Sequence, residues 1–468
     1  MKRFLYFLGL AGMLAVSLLG FRRVFSFKYG DGIYSVTTFY EQEEDSVDLL
    51  ILGSSHAYQN INPVILWKDA GIAAYDLCGS ITPLWNSYYF LKEAVKTQSP
   101  RLVILEAYCL TQPYEYMDDS RIIKNVYGLK PSENKLDALK VSAPEDRWVE
   151  FGLEYIQYHN RYSALEAADF RPYQDDPAFY SSWKGFGNNF GVIPYEAPQV
   201  VNDGSTAPIY PKQQEYYEKI IAFCKEEGLP LLVVVSPYAG YTQGEMQVYN
   251  TAKQIAQAAG VPFVNFNDDY NEMGLDWSTD AADPNHFSYL GNKKFTETLG
   301  EYLLEHYTWE DHSAEREKYA SWDAAYDYYD HSMRNKALSL VTDAATYLAT
   351  LDFLGEEYIV ILEPGATFGA WDLTKTFIQN HGIGDPPEQG GQAWILQGQT
   401  METVTKTPYG YYWAQRFGKN ELVVDDSGIY WNRKNYKKGD NGINIVVFDT
   451  RNQTVADAVC ITENTIVR

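Results

Sequence analysis

The sequence predicts an α/β protein: a doubly wound, five-stranded parallel sheet with a long insertion, followed by a smaller, β-rich α+β domain. Three observations predict it. Short apolar runs such as Leu49–Leu52 (LLIL) and Leu231–Val235 (LLVVV) lack the polar alternation of a half-exposed strand, which marks strands buried on both faces. Between residues 45 and 308 such runs alternate with helix-patterned segments, the signature of strand–helix–strand units. Finally, 468 residues exceed what one core ordinarily serves, and the composition shifts beyond His306, so a second domain is expected.

At the start of the chain, Lys2-Arg3 precede an apolar run from Phe4 to Phe21, and Arg22-Arg23 follow it. Eighteen apolar residues reach the lower limit for spanning a bilayer core. There is no small-x-small cleavage pattern and no cysteine for a lipid anchor, so residues 1–24 are expected to be a retained signal anchor, a single-pass membrane helix. Basic residues at both ends leave its orientation open.

A polar, aromatic connector over Phe25–Glu44 leads into the first strand, Leu49–Leu52, which stops at Gly53-Ser54-Ser55. Asn60–Gly71 reads as a helix, with Pro63 near its start and Gly71 as its stop. Ala73–Leu77 is the second strand and ends at Cys78-Gly79-Ser80. The helix Leu84–Lys96 turns Tyr88, Leu91 and Val95 inward, and Leu102–Leu105 is the third strand, running into Glu106-Ala107-Tyr108. Residues 110–208, rich in Tyr, Trp, Asp and Asn, interrupt the alternation as an insertion or lid above the carboxyl ends of the strands. The pattern resumes with helix Gln213–Glu227, strand Leu231–Val235, helix Gln247–Ala259 and strand Pro262–Phe266. After His306 come a helical connector over 309–337 and an accessory domain over 338–468. Its expected elements are a helix at Leu338–Leu351, strands at Glu357–Leu362 and Ala393–Leu396, a helix at Leu373–His381, and strands at Leu422–Val424, Ile443–Phe448 and Ala456–Ile461.

A formal charge of −24 argues against a nucleic-acid partner, which would need clustered Lys and Arg. The 39 tyrosines and 11 tryptophans suit either sugar stacking or ordinary packing. None of the four cysteines has C-x-x-C spacing, which removes zinc and redox motifs; Cys78 and Cys109, near the ends of neighbouring strands, are the one pair placed for a disulfide. His306, His312, His331 and His381 show no metal-ligand spacing with carboxylates, so no metal and no cofactor is expected.

The chemistry lies in two motifs. Gly53-Ser54-Ser55-His56 ends the first strand, where open α/β sheets bind ligands, and Asp283-Pro284-Asn285-His286-Phe287 follows about 230 residues later. Together they hold a nucleophile, a base and an acid. Ser55 would attack an acyl carbon, His286 would take its proton, and Asp283 would hold the imidazole in the right tautomer. The three-residue spacing lets one turn carry both His286 and Asp283.

These motifs resemble those of the SGNH/GDSL hydrolase superfamily, and of its membrane-anchored branch containing lipoteichoic-acid D-alanine transfer proteins and polysaccharide O-acetyl esterases and transferases. The resemblance covers roughly residues 45–308. It implies a flavodoxin-like strand order, a catalytic domain outside the cytoplasm, and an oxyanion bound by the backbone N–H groups of Ser55 and Gly79. Two positions depart from the family pattern: Ser54 stands where its aspartate is usual, and Glu106-Ala107-Tyr108 replaces its Gly-x-Asn-Asp block, leaving no asparagine as a third oxyanion donor. Candidate substrate contacts are His56 beside the nucleophile, Tyr108, and from the insertion His159, Arg161 and Lys184; pairing with nearby acids is the alternative for the last two. The NGINIVVFD stretch at Asn441–Asp449 resembles the end of interleukin-like EMT inducer domains, small β-rich modules, here with glycan binding as the expected role.

The expected function is that of a serine esterase or O-acyltransferase moving acetyl or D-alanyl groups on cell-envelope polysaccharide or teichoic acid, with a membrane-bound acyl-transfer partner. The alternative is a non-catalytic, membrane-anchored scaffold that binds glycan.

Overall fold

The computed structural model describes residues 2–25, 27, 30–153, 159–170, 183–268, 270–366, 372–384, 391–404, 406–463 and 465–468. They form two compact units, Met1–Tyr326 and Asp327–Arg468.

The first unit is built on five strands: β1 (Leu49–Leu52), β2 (Ala74–Asp76), β3 (Leu102–Glu106), β4 (Leu231–Val235) and β5 (Phe263–Asn265). Their order is β2-β1-β3-β4-β5 and every pairing is parallel. The strands are dominated by apolar residues because each face is covered. Leu50, Leu52, Val103, Leu105, Val233 and Val235 pack on one side with Phe90 and Leu91 of helix Leu84–Ala94 and Tyr217 and Ile220 of helix Pro211–Glu226. Leu49, Ile51, Leu102, Ile104, Leu232 and Val234 pack on the other with Leu66 of helix Pro63–Ala70 and Phe295, Leu299 and Leu303 of helix Tyr289–His306. The chain leaves β1 for β2 on one side and continues through β3 to β5 on the other. The carboxyl end of β1 therefore lies at the switch point where such sheets open a crevice.

Two segments differ from expectation. The connector after residue 24 contains a helix, Asp31–Phe39, whose Ile33, Val36 and Phe39 join the first core; its Ser, Thr and Gly content conceals an apolar face only nine residues long. The early part of the insertion also joins that core, through Ile122, Ile123 and Val126 of helix Asp119–Val126 and Ala138 and Leu139 of helix Glu133–Ser142. It thickens the wall of the domain on one face. All four cysteines are free and buried, so Cys78 and Cys109 are not bridged. At the N-terminus, helix Lys2–Val24 contains a 19-residue stretch, Arg3–Phe21, long and apolar enough to cross a membrane, with none of it buried.

The second unit is antiparallel. Strands β6 (Tyr358–Pro364), β7 (Ala393–Gln397), β8 (Thr400–Val404), β14 (Ile443–Asp449), β15 (Thr454–Thr462) and β16 (Thr465–Val467) form a six-stranded sheet, β16-β15-β14-β6-β7-β8. Strands β9 (Lys406–Thr407), β10 (Gly410–Phe417), β11 (Asn420–Asp425), β12 (Gly428–Trp431) and β13 (Lys434–Asn435) form a five-stranded meander. Side-chain alternation sorts β6 cleanly: Tyr358, Val360 and Leu362 meet helix Ala344–Leu351, while Ile359 and Ile361 meet Leu422 and Val424 of the meander.

One backbone position carries much of the first unit. Gly53 has φ +154°, and a Cβ there would lie 2.9 Å from Glu106 Cβ and 3.0 Å from Ala57 Cβ. Carbon contacts are comfortable at about 3.5–4.0 Å, so Gly53→Ala must push β3 or the following helix away. We expect a loss of about 2–4 kcal/mol from overpacking and backbone strain, read as a lowered urea midpoint. A variant as stable as the parent would show that this approach is not a constraint.

Candidate active site

β1 delivers its last residue to Gly53, and the chain turns at once into the short helix Ser55–Asn60. Ser54 caps that helix: its hydroxyl accepts the His56 N–H at 3.4 Å. Ser55 is the first helical residue, so its own N–H has no acceptor within the helix. The turn thus presents the Ser55 hydroxyl and a backbone donor at the same point.

The second motif sits on a loop closed by an antiparallel bridge between Ala281 and Phe287. Within it, Asp283 Oδ1 accepts the N–H groups of Asn285 (2.8 Å) and His286 (3.0 Å), an Asx-type turn that folds the acid back onto the histidine. His286 Nδ1 lies 2.9 and 2.8 Å from the two Asp283 oxygens, and His286 Nε2 lies 2.8 Å from Ser55 Oγ. The carboxylate assigns the proton to Nδ1. That leaves the Nε2 lone pair for the serine hydroxyl. Burial pushes the Asp283 carboxyl up, and the hydrogen bonds from His286 and Asn285 outweigh it, so the group sits below the usual carboxylate range and stays ionised at neutral pH.

Asn60 ties the two motifs together, and nothing in the sequence pattern singled it out. Fully buried at the end of the Ser55 helix, it accepts the Phe287 N–H at 3.0 Å through Oδ1 and donates to Ser236 Oγ at 3.0 Å through Nδ2. Ser236 in turn reaches Glu106 Oε1 at 3.5 Å, and Glu106 Oε2 accepts the Tyr108 N–H at 3.2 Å. Burial pushes the Glu106 carboxyl up to about 8, partly countered by hydrogen bonds from Tyr108 and Ser236. A carboxylic acid directly after the apolar run Leu102–Leu105 was the available signal.

The remaining candidates divide. His56 is fully buried, stacked on Tyr108 with ring centroids 3.6 Å apart, edge-on to Tyr238, and 5.3 Å from the His286 ring. Burial, then the nearby His286, hold its pKa well below the ordinary value, and neither ring nitrogen has a hydrogen-bond partner among the described residues. It is a neutral wall behind the triad, not a surface for substrate. Tyr108 is half-buried and forms the outer layer of that wall.

Gly79 corrects the expectation of an oxyanion donor: its N–H is given to Thr82 Oγ1 at 2.9 Å, and a Cβ there would lie 2.8 Å from Gly32 Cα. The glycine serves helix packing. Lys184 is likewise not a substrate contact. Its side chain is buried, Nζ donates to Gln42 Oε1 (2.9 Å) and Ser321 Oγ (2.7 Å), and it lies 3.8 Å from the Trp322 ring centre. His159 and Arg161 fall on the turn His159–Ala164, and their side chains lie outside the described residues.

Beyond Lys184 the chain runs beside the site. Gly187 N–H bonds to Tyr58 O (2.8 Å), while Ile193 and Tyr195 N–H bond to Ala281 O and Trp277 O (2.9 Å each), so this stretch flanks the Ser55 helix and the His286 loop. A cavity of about 800 Å³ lies elsewhere, lined by Trp67, Trp309, His312 and Arg316 and by none of the triad. The triad is the stronger indication of chemistry, because cavity size says nothing about reactive groups. Comparison with protein-family models finds no match, and neither does comparison with curated proteins.

Lys184 offers a test of these burial relations. Burial lowers its pKa from 10.5 to about 7, so between those values the unfolded chain holds the proton that the folded chain has lost. Stability from this group therefore rises with pH above about 7. Relative to Lys184→Met, the parent should gain up to about 1.4 kcal/mol per pH unit, measured by urea unfolding at pH 7, 8 and 9. A pH-independent difference would exclude a buried, neutralising lysine.

Proposed function

We propose that this chain is a serine esterase or O-acyltransferase of the SGNH type, acting outside the cytoplasm on acetyl or D-alanyl esters of cell-envelope polysaccharide or teichoic acid. One observation carries the proposal: the relay Ser55–His286–Asp283, joined by contacts of 2.8–2.9 Å at the carboxyl end of β1. The five-stranded parallel sheet, with its switch point at that end, suits the same reading.

The steps follow from the geometry. As Ser55 Oγ bonds to the acyl carbon, its proton passes to His286 Nε2, and the carbonyl electron pair moves onto oxygen to give a tetrahedral oxyanion. The Ser55 N–H is the donor in place for that oxyanion. Collapse breaks the bond to the leaving oxygen, which takes the proton from Nε2, and leaves an acyl-Ser55. Water or a sugar hydroxyl then gives its proton to Nε2 as it attacks the acyl carbon, and collapse breaks the bond to Ser55 Oγ, which takes the proton back from Nε2. Asp283 stays ionised throughout and stabilises the imidazolium.

Removing the nucleophile or the base should abolish most of the rate. Asp283→Asn should cost about one to two decades less, because a placed imidazole keeps some basicity. The measurement is turnover of a small acetyl ester by Ser55→Ala, His286→Ala and Asp283→Asn, each checked for folding by circular dichroism. Full activity in Ser55→Ala excludes the mechanism. A wild type that neither turns over esters nor reacts with a fluorophosphonate probe would transfer the reading to a glycan-binding scaffold.

The proposal places the protein at the membrane through helix Lys2–Val24. The full chain should fractionate with membranes and need detergent, whereas a chain starting at residue 25 should be soluble. A mature protein that is soluble and begins beyond Phe21 would exclude a retained anchor.

A further inference from the structure

Three groups between helix Tyr289–His306 and helix Arg316–Ser339 have no part in acyl transfer: Glu310, His312 and Glu315. His312 is the fixed member. Its side chain is 3% exposed, and its ring stacks on Tyr319 with centroids 3.8 Å apart and on Trp67 at 6.0 Å. His312 Nε2 lies 2.7 Å from Asp48 Oδ2, which also accepts the Ala73 N–H at 3.0 Å. A carboxylate in that position takes a donated proton, so Nε2 carries the hydrogen and the lone pair falls on Nδ1. That Nδ1 is buried and has no hydrogen-bond partner among the described residues; Glu315 Oε2, at 3.9 Å, is too far to supply one.

One ligand atom from each of Glu310, His312 and Glu315 lies within 4.8 Å of the others. We propose that these three residues bind a divalent first-row metal ion, through His312 Nδ1 and one oxygen of each glutamate, with Asp48 as the outer carboxylate that orients the imidazole. An imidazole whose second nitrogen donates to a carboxylate is the usual posture of a metal-binding histidine. One nitrogen and two carboxylate oxygens favour an ion of the zinc type over magnesium or calcium, which prefer all-oxygen shells.

Ligands on a tetrahedral ion with bonds of about 2.1 Å stand roughly 3.4 Å apart, so the site must contract from its present spread. The glutamates can do this. Their side chains are 54% and 53% exposed, while the histidine is held in place. Glu310 also pairs with Arg101, a contact that the ion would compete for. Glu310 and His312 line the cavity of about 800 Å³, so the fourth position opens to water. Asp48 immediately precedes β1, whose other end leads to Ser55, so the ion would pin the segment around residues 310–315 to the amino-terminal edge of the sheet and act on stability, not on ester chemistry. The spacing Glu-x-His-x-x-Glu matches no helical ligand pattern, and the group that orients its histidine, Asp48, is 264 residues away.

The competing arrangement is an imidazolium shared between Asp48 and Glu315, which needs no cation. The test uses the full chain in detergent, without a histidine tag, stripped with EDTA and titrated with zinc at pH 7 by calorimetry and thermal unfolding. The proposal expects saturable binding of about one zinc per chain and a Tm raised by several degrees. The Glu310→Gln, Glu315→Gln double variant should keep the metal-free Tm and lose at least ~100-fold in affinity, with His312→Gln losing as much. Asp48→Asn should weaken binding by about 10- to 100-fold. Absence of saturable zinc binding below about 1 mM, or unchanged affinity in the double variant, would overturn the site and leave the triad reading untouched.

Discussion

The approach of Gly53 to β3 sets the terms for everything at the carboxyl edge of the sheet. Parallel strands about 4.8 Å apart leave little room above their ends, and at Gly53 the neighbouring Glu106 side chain fills what there is. A residue without Cβ allows β1 to turn directly into a helix instead of leaving through a longer loop. The first residue of that helix then carries its hydroxyl out at the switch point of the sheet, and the turn's own N–H is available beside it.

Holding a histidine loop against that hydroxyl requires a polar bridge through the core. Asn60, Ser236 and Glu106 are all fully buried, and each finds partners in the others or in a backbone amide. Net gains from such bonds are about 1 kcal/mol each, but an unpaired member would cost about 1–3 kcal/mol, so the chain is far more exacting than its contribution to stability suggests. A Glu106 carboxyl pushed to about 8 is mostly protonated at neutral pH, which spares the core an uncompensated charge. His56 follows the same rule: kept neutral by burial and packed between Tyr108 and Tyr238, it places no positive charge beside His286.

The two units cover their main sheets with different layers. In the parallel sheet both faces are covered by helices, and the strands read as unbroken apolar runs. In the antiparallel unit the six-stranded sheet is also covered on both faces, so Tyr358–Pro364 and Ile443–Asp449 are fully buried and were legible as strands. The strands Thr400–Val404, Gly410–Phe417 and Lys434–Asn435 were not: each has exposed positions along its length, and Thr, Tyr, Arg and Lys along them give no apolar run to detect.

By itself the sequence determined the class of the first unit and singled out Ser55, Asp283 and His286 as its candidate site. Strand runs such as LLIL and LLVVV, and the stop at Gly53-Ser54-Ser55, are local signals, since burial on both faces and a tight turn each leave a mark on adjacent residues. The pairing of Ser55 with His286 was inferred from two such marks, and the structure brings them to 2.8 Å. What only the tertiary structure decided concerns groups whose environment comes from elsewhere in the chain. Gly79 reads as a donor until Thr82 takes its N–H, and Lys184 reads as a substrate contact or a partner of nearby acids until Trp322, Gln42 and Ser321 enclose it. Asn60 reads as the start of a helix until Phe287, 227 residues on, donates to it. A side chain's hydrogen-bond partners and dielectric surroundings are properties of the packed chain, and no window of adjacent residues contains them.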